Sequence, residues 1–199
     1  MRGQFSDESE LVRRLAASDR TAFEHLYRLH KSALVRVCTG VVGSRATAEE
    51  VAQDTWIAVL QNIAGFEGRS TLAGWIFSIL INKARTRAKR DGRTVSFDNG
   101  GDDYSLADAF DGRGRWKDLP ELWDDLTPER IVAGRSLAEH VHVAIDALPP
   151  LQRSVLVMRT MQGIDSGEIS SILAISEANV RISLHRARLA IRAVLDQLS

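Results

Sequence analysis

Residues 148–188 read LPPLQRSVLVMRTMQGIDSGEISSILAISEANVRISLHRAR, and the punctuation inside that run decides the fold. Pro149 and Pro150 stop one helix and start the next, because proline lacks the N–H a helix interior needs yet suits a first turn. The helix they start runs from about Leu151 to Gln162, where Gly163 breaks it. Asp165, with Glu168 three residues on, caps a short helix through Leu173, and Ser176 caps a last helix running towards Asp196. Two helices joined by Ala174, Ile175 and Ser176 make a helix-turn-helix.

Along the last helix, Val180, Leu184, Ala187, Ile191 and Leu195 recur three and four positions apart and face a core, while Arg181, His185, Arg188 and Arg192 form a stripe beside them. A basic stripe next to a buried one suits a helix lying in a DNA major groove, with Glu177, Asn179 and Arg181 near base edges. A solvated face on an ordinary bundle helix would have the same spacing.

Upstream the helical period continues, and no alternating run is long enough for a sheet, so the chain is expected to be all-α. Leu11, Val12 and Leu15 mark a first helix ending near Ser18. A second begins near Thr21 and turns Phe23, Leu26, Tyr27, His30, Leu34, Val37 and Cys38 inward. Thr47 and Glu50 read as a capping box for a third, which carries Val51, Ala52, Thr55, Trp56 and Val59. After a polar loop from about Ile63 to Ser70, a fourth helix puts Leu72, Trp75, Ile76, Ile79 and Ala84 on one side. It then becomes basic, with Lys83, Arg85, Arg87, Lys89, Arg90 and Arg93 opposed only by Asp91.

The 199 residues hold 26 Lys plus Arg and 26 Asp plus Glu, a balance that conceals blocks. Residues 1–94 carry an excess of five positive charges, 95–133 an excess of six negative ones, and 134–199 a net +1. The acidic block has glycine turns and little periodicity, so it reads as a flexible linker between two small helical domains at 8–94 and 134–199. Its Trp116 and Trp123 are more apolar than a solvated spacer needs. An apolar content of 44% excludes global disorder. The lone Cys38 excludes an internal disulfide and any Cys-based zinc site, and points to a reducing compartment. No stretch reaches the roughly 18 apolar residues that span a bilayer, and Met1 to Glu10 is too polar for a signal peptide. A cytoplasmic protein without membrane insertion is expected.

Two further surfaces carry chemistry. Trp75 and Asn82 lie two turns apart on a face that continues into the cations, where a base could stack on the ring at roughly 1–3 kcal/mol while Lys and Arg track phosphates. Trp75 also reads as a core residue, and the two roles are compatible. Glu50, Gln53 and Asp54 share a helix face opposite Val51, Thr55 and Val59 that suits a basic partner, or solvent alone. No catalytic constellation is visible: His25, His30, His140, His142 and His185 lack metal-ligand spacing, and no Gly-rich phosphate loop follows a strand. No enzyme activity, cofactor or metal is expected.

Taken in series, EEVAQDTW at Glu49–Trp56, FEGRSTLAGWIFSILIN at Phe66–Asn82 with its basic continuation, and the Leu148–Arg188 run resemble the bacterial RNA polymerase sigma factors of the extracytoplasmic-function (ECF) class, over roughly residues 8–92 and 136–198. The resemblance implies a sigma-2-like helical bundle and a sigma-4-like helix-turn-helix joined by the linker. It implies that Glu50, Gln53 and Asp54 dock on core RNA polymerase, and that Phe66, Arg69, Ser70, Trp75, Asn82, Lys83 and Arg85 open and read the minus-10 region. Asn179, Arg181, Ser183, His185, Arg186 and Arg188 would then read the minus-35 region. The partners implied are core polymerase and promoter DNA, with catalysis left to the polymerase; two DNA faces that must be masked when unused further suggest a separate anti-sigma factor.

Ile182 and Ser183 stand where relatives often carry another cation, and Ser170 where a small Ala usually packs, so the minus-35 preference does not transfer. Two other classes remain open from the residues. A stand-alone helix-turn-helix regulator would bind duplex tightly unaided but leaves the Glu50, Gln53, Asp54 patch without a purpose. A protein-binding helical adaptor would tolerate loss of the residue 83–93 cations.

Overall fold

The structure is a computed structural model that describes residues 8–92 and 128–197. Helix α1 (Glu8–Ala16) lays Leu11 and Leu15 on the core. Helix α2 (Arg20–Val42) starts at Asp19, whose Oδ1 accepts from the N–H groups of Thr21 at 2.8 Å and Ala22 at 3.2 Å. The Thr21 hydroxyl, then Arg14, then these amides hold the Asp19 carboxyl well below the usual carboxylate range.

At the far end of α2 the chain stops and restarts within two residues. Gly43, at φ 72°, closes the helix through Thr39 O, and Ser44 at once caps α3 (Arg45–Asn62) by accepting from Thr47 N. The cap therefore lies three residues before the expected Thr47–Glu50 box, because a left-handed glycine leaves the next residue extended, as an N-cap must be. A short 3₁₀ turn (Ile63–Gly65) and a loop lead to α4 (Leu72–Arg90), capped by Thr71 Oγ1 on Gly74 N at 3.0 Å.

Helices α2, α3 and α4 pack on one another around Leu34, Val37, Cys38, Val59, Phe77 and Leu80, all fully buried. Burying each of the larger side chains contributes about 1.5–3 kcal/mol before entropy. Thr55 is accommodated in that core by donating its hydroxyl to Val51 O at 2.8 Å. Tyr27 departs from its expected inward position and is 41% exposed; its ring lies at the rim, 5.4 Å from Trp56 and 6.0 Å from Phe23.

Helix α5 (Pro128–Ala147) begins inside the segment expected to be linker to residue 133. A proline followed by glutamate is a helix start, and the acidic composition around it concealed the signal. Residues 95–127, with the expected glycine turns, Trp116 and Trp123, lie outside the described residues. Helix α6 (Pro150–Leu156) passes into a π turn (Val157–Met161), in which Gln162 N bonds to Val157 O at 3.1 Å, so the single helix expected to Gln162 is interrupted by a wider coil.

Helix α7 (Ser166–Leu173) is capped by Asp165 Oδ1 on Glu168 N at 2.8 Å. Helix α8 (Glu177–Gln197) is capped by Ser176 Oγ on Asn179 N at 3.1 Å. The turn between them puts Ala174 at φ 51°, a conformation unusual for a residue with a side chain. Ser170 offsets that strain: its hydroxyl donates to Ile175 O at 2.6 Å while its carbonyl accepts from Ile175 N at 3.1 Å. The hydroxyl at Ser170 thus ties the turn closed.

The two halves of the chain share one contiguous core. Helix α2 packs on α6, and α4 packs on α7.

Candidate nucleic-acid interface

The loop and α4 form one surface. Phe66 is half-buried against Trp75, with ring centroids 5.3 Å apart and planes inclined at 52°. Arg69 is exposed and pairs with Glu67 at 2.9 Å, and Ser70 Oγ donates to Thr71 O at 3.3 Å. Asn82 is exposed and Lys83 half-exposed on the face that continues from Trp75, as the spacing predicts. Trp75 is half-buried, so its ring supports the loop from within and keeps part of its surface outward.

Arg85 is brought elsewhere. Its Nη2 donates to Leu173 O at 2.7 Å, at the carbonyl end of α7, where the helix dipole favours a cation. Arg87 bonds to Glu50 at 2.9 Å and to Asp91 at 3.0 Å, and these two carboxylates raise its pKa. Lys89 and Arg90 stand exposed beyond it.

Glu50, Gln53 and Asp54 are all exposed on α3, as their spacing predicts. Ile57, 54% exposed, and Leu60 continue that same face, with Tyr27 and Lys31 of α2 at its edge; the Lys31 ammonium sits 5.6 Å from the Tyr27 ring centroid. The stripe therefore combines negative charge, which repels phosphate, with aliphatic side chains left exposed. The sequence reading missed its apolar half, although Ile57 falls four residues after Gln53 and Leu60 three further on.

On α8 the expected DNA face divides. Arg181 and Arg188 are exposed, and Asn179 and Arg186 half-exposed. Ser183 and His185 are each 5% exposed, so neither is presented to a groove in this arrangement. Ser183 follows Val180 by three residues and precedes Ala187 by four, which puts it on the core side. His185 lies within the arginine stripe yet is buried; burial first, then Arg186 and Arg188, push its imidazole below 6.5 towards the neutral form.

Besides the Arg85 bond to Leu173 O, three further links join the halves near these surfaces. Thr71 donates from N to Glu168 Oε1 and from Oγ1 to Glu168 Oε2, both at 3.0 Å. Arg36 Nε donates to Asp146 Oδ1 at 2.6 Å. His30 Nδ1 meets Gln162 Oε1, and burial pushes the His30 imidazole below 6.5. Among the described residues, no three His, Cys, Asp or Glu side chains converge as for a metal ion, and no helix is long and apolar enough to cross a membrane.

Comparison with known proteins gives a concordant result. Residues 26–94 match the family model for Sigma-70 region 2, and residues 139–191 match that for Sigma-70, region 4. The chain is 27% identical to the RNA polymerase sigma-H factor of Pseudomonas aeruginosa, over 96% of its own length and 95% of that protein's. It is 25% identical to the ECF RNA polymerase sigma factor SigW of Bacillus subtilis, over 94% and 96% of the two chains. Among solved structures, CnrH in complex with the cytosolic domain of CnrY shares the fold at a TM-score of 0.50 and 21% identity, over 96% of this chain and 99% of that one. The sigma factor RpoE in complex with the anti-sigma factor NepR, from Bartonella quintana, shares it at 0.51 and 18%, over 87% and 96%.

Proposed function

Because this chain belongs to the bacterial RNA polymerase sigma factors of the ECF class, we propose a division of labour among its helices. It is a transcription initiation factor that binds core RNA polymerase and directs promoter recognition and opening, and the chemistry stays in the polymerase. In our reading, the α3 stripe of Glu50, Gln53 and Asp54, extended by Ile57 and Leu60, docks on the core enzyme. Phe66, Arg69 and Ser70 of the loop and Trp75, Asn82, Lys83 and Arg85 of α4 hold the minus-10 strand. Asn179, Arg181, Arg186 and Arg188 read the minus-35 duplex, and Ser183 and His185 act only from within. The functional units are then residues 8–94 and a helix-turn-helix unit from Pro128 onward, with the acidic segment between them.

One observation supports this division: the acidic-apolar stripe is on α3, while the aromatic plate and the cations are on α4. One bundle can therefore hold a protein with one helix and a melted strand with the next. Melting costs a few kcal/mol per unstacked base, which is offset by stacking on aromatic rings and by phosphate contacts. Each half alone carries modest charge, so its grip on DNA is salt-sensitive, and fixing both on one large enzyme raises the effective concentration of the second contact.

We further propose that a separate anti-sigma protein masks the factor when it is not in use, since one solved structure that shares its fold holds a sigma factor with the anti-sigma factor NepR and another holds CnrH with the cytosolic domain of CnrY. The site of action is the cytoplasm, where polymerase meets promoters.

The test is reconstitution with bacterial core polymerase and a genomic promoter library, read as specific run-off transcripts. Replacing Gln53 and Asp54 by Ala should weaken core binding. Replacing Trp75 and Asn82 by Ala should leave core binding intact and impair opening. Identical behaviour of the two pairs, or tight duplex binding by the free chain regardless of polymerase, would overturn the division.

A further inference from the structure

Helix α1 belongs to neither the docking stripe nor the cation face, yet it holds both ends of the loop that runs between α3 and α4. The loop leaves the 3₁₀ turn at Phe66 and enters α4 through Thr71. At its start, α1 packs on the 3₁₀ turn, with Leu15 and Ile63 buried in one core cluster. At its end, Leu72 N donates to Glu8 Oε1 at 3.1 Å, and Glu8, Leu11 and Leu72 line one cleft.

We propose that Glu8 is a positioning residue for minus-10 recognition: from α1 it fixes the first turn of α4, and through that turn the place of Trp75 and of the loop in front of it. The proposal rests on the assignment of Phe66 and Trp75 to the minus-10 strand.

A helix start leaves its first amides without partners inside the helix. Thr71 serves two of those that begin α4, its hydroxyl accepting from Gly74 N at 3.0 Å and its carbonyl from Trp75 N at 2.9 Å. The amide of Leu72 finds its acceptor on another helix, in Glu8. A carboxylate there also meets the positive end of the α4 dipole. Glu168 brings a second carboxylate to this end, but to Thr71, the residue ahead of the helix.

Trp75 follows Leu72 by three residues, so the amide that Glu8 holds and the ring lie in the same turn. The ring in turn carries Phe66 at 5.3 Å, and Phe66 N bonds to Ile63 O at 3.1 Å. The path therefore runs from Glu8 through the first turn and the two rings back to the 3₁₀ turn, where α1 packs again.

A helix of nine residues is marginal by itself in water, so α1 must be held by its surroundings. Leu11 and Leu15 lie on the core, and at the far end Arg14 Nε donates to Asp19 Oδ2 at 2.7 Å and Arg14 Nη2 to Thr21 Oγ1 at 3.0 Å. Asp19 is itself the N-cap of α2. Glu8 thus reaches α4 from a rod anchored on α2. A carboxylate on a loose tail would have to be ordered at each encounter, at a cost in entropy that the anchored rod avoids.

The test compares Glu8→Ala with Glu8→Gln in the full chain. Glutamine keeps an oxygen that can accept from Leu72 N, and alanine keeps none. In the free chain, hydrogen exchange at the Leu72 amide should speed up by about 2- to 30-fold in Glu8→Ala, the range spanned by the loss of one helix cap, and stay near the wild-type rate in Glu8→Gln. In holoenzyme reconstituted with core polymerase, the rate of promoter opening, followed by permanganate reactivity, should fall by a similar factor in Glu8→Ala and recover in Glu8→Gln. Affinity for core polymerase should be the same in all three. Unchanged exchange in Glu8→Ala, or wild-type opening despite faster exchange, would overturn the proposal. So would a glutamine variant as slow as the alanine one, since the accepting oxygen would then not be what matters. Each of these results leaves the minus-10 assignment standing, because the chains still direct run-off transcripts. If no form directs transcripts, that assignment has failed and the role of Glu8 fails with it.

Discussion

Replacing Phe66 by Leu isolates the part played by one ring. The loop between the 3₁₀ turn and α4 is pinned at its start by Phe66, whose N–H bonds to Ile63 O at 3.1 Å and whose ring leans on Trp75 at 5.3 Å. Leucine keeps most of the apolar area, so the change removes chiefly the aromatic pairing, worth about 0.5–1.5 kcal/mol beyond burial. If Phe66 serves by holding the loop, the fraction of properly placed loop, and with it the rate of open-complex formation, should fall by about 2- to 13-fold, the equivalent of that energy at 25 °C. Permanganate footprinting of the melted region over time measures the rate, and titration of core polymerase measures docking, which should not change. A fall much larger than 13-fold would mean that the ring itself holds a base. A parallel loss of core affinity would mean that the loop and the α3 stripe are not separate. Either result refutes the supporting role.

Two further predictions follow from buried titratable groups. His30 lies in a cleft with Glu8, His25 and Gln162, and burial depresses its imidazole below 6.5; it therefore binds fewer protons folded than unfolded. Its stabilising contribution is full above 6.5 and is lost as pH falls through that value, so melting temperature followed from about pH 7.5 to about pH 5.5 should fall more steeply for wild type than for His30→Gln. Equal slopes would show that His30 is not the titrating group. The Cys38 thiol, fully buried and pushed up to about 12, should resist a thiol reagent in native buffer at pH 8 and react completely only in denaturant; labelling at the rate of a free thiol would contradict its place in the core.

Helices and their punctuation were legible in the sequence wherever one residue type carries one backbone consequence. Pro149–Pro150, Gly163, Asp165 and Ser176 each end or begin a helix at the expected position. Thr47–Glu50 failed because a capping pattern is local and degenerate, and the left-handed Gly43 immediately before Ser44 outweighed it. Ser183 was placed on the DNA face by the family resemblance, while its own spacing from Val180 and Ala187 puts it inward, where it is buried. Glu168 was the hardest to read. Its spacing from Asp165 is a local signal, while its actual partner is Thr71, distant in the chain, and no periodicity encodes a hydrogen bond between halves.

The π turn at Val157–Met161 sets how this chain can change length. One end of the segment, Pro150, is seated on Gly40 of α2, and the other, Gln162, meets His30 of the same helix. Losing one residue between those anchors would restore a regular coil and make the stretch more helical by any local measure. Losing a second residue, with no wider turn left to absorb it, would swing Gln162 by about 100° around the axis, away from His30, and rotate the entire helix-turn-helix that follows. Point substitutions in this stretch are matters of size and polarity; an insertion or deletion is a matter of aim, and would leave a well-folded reading head pointed at the wrong place.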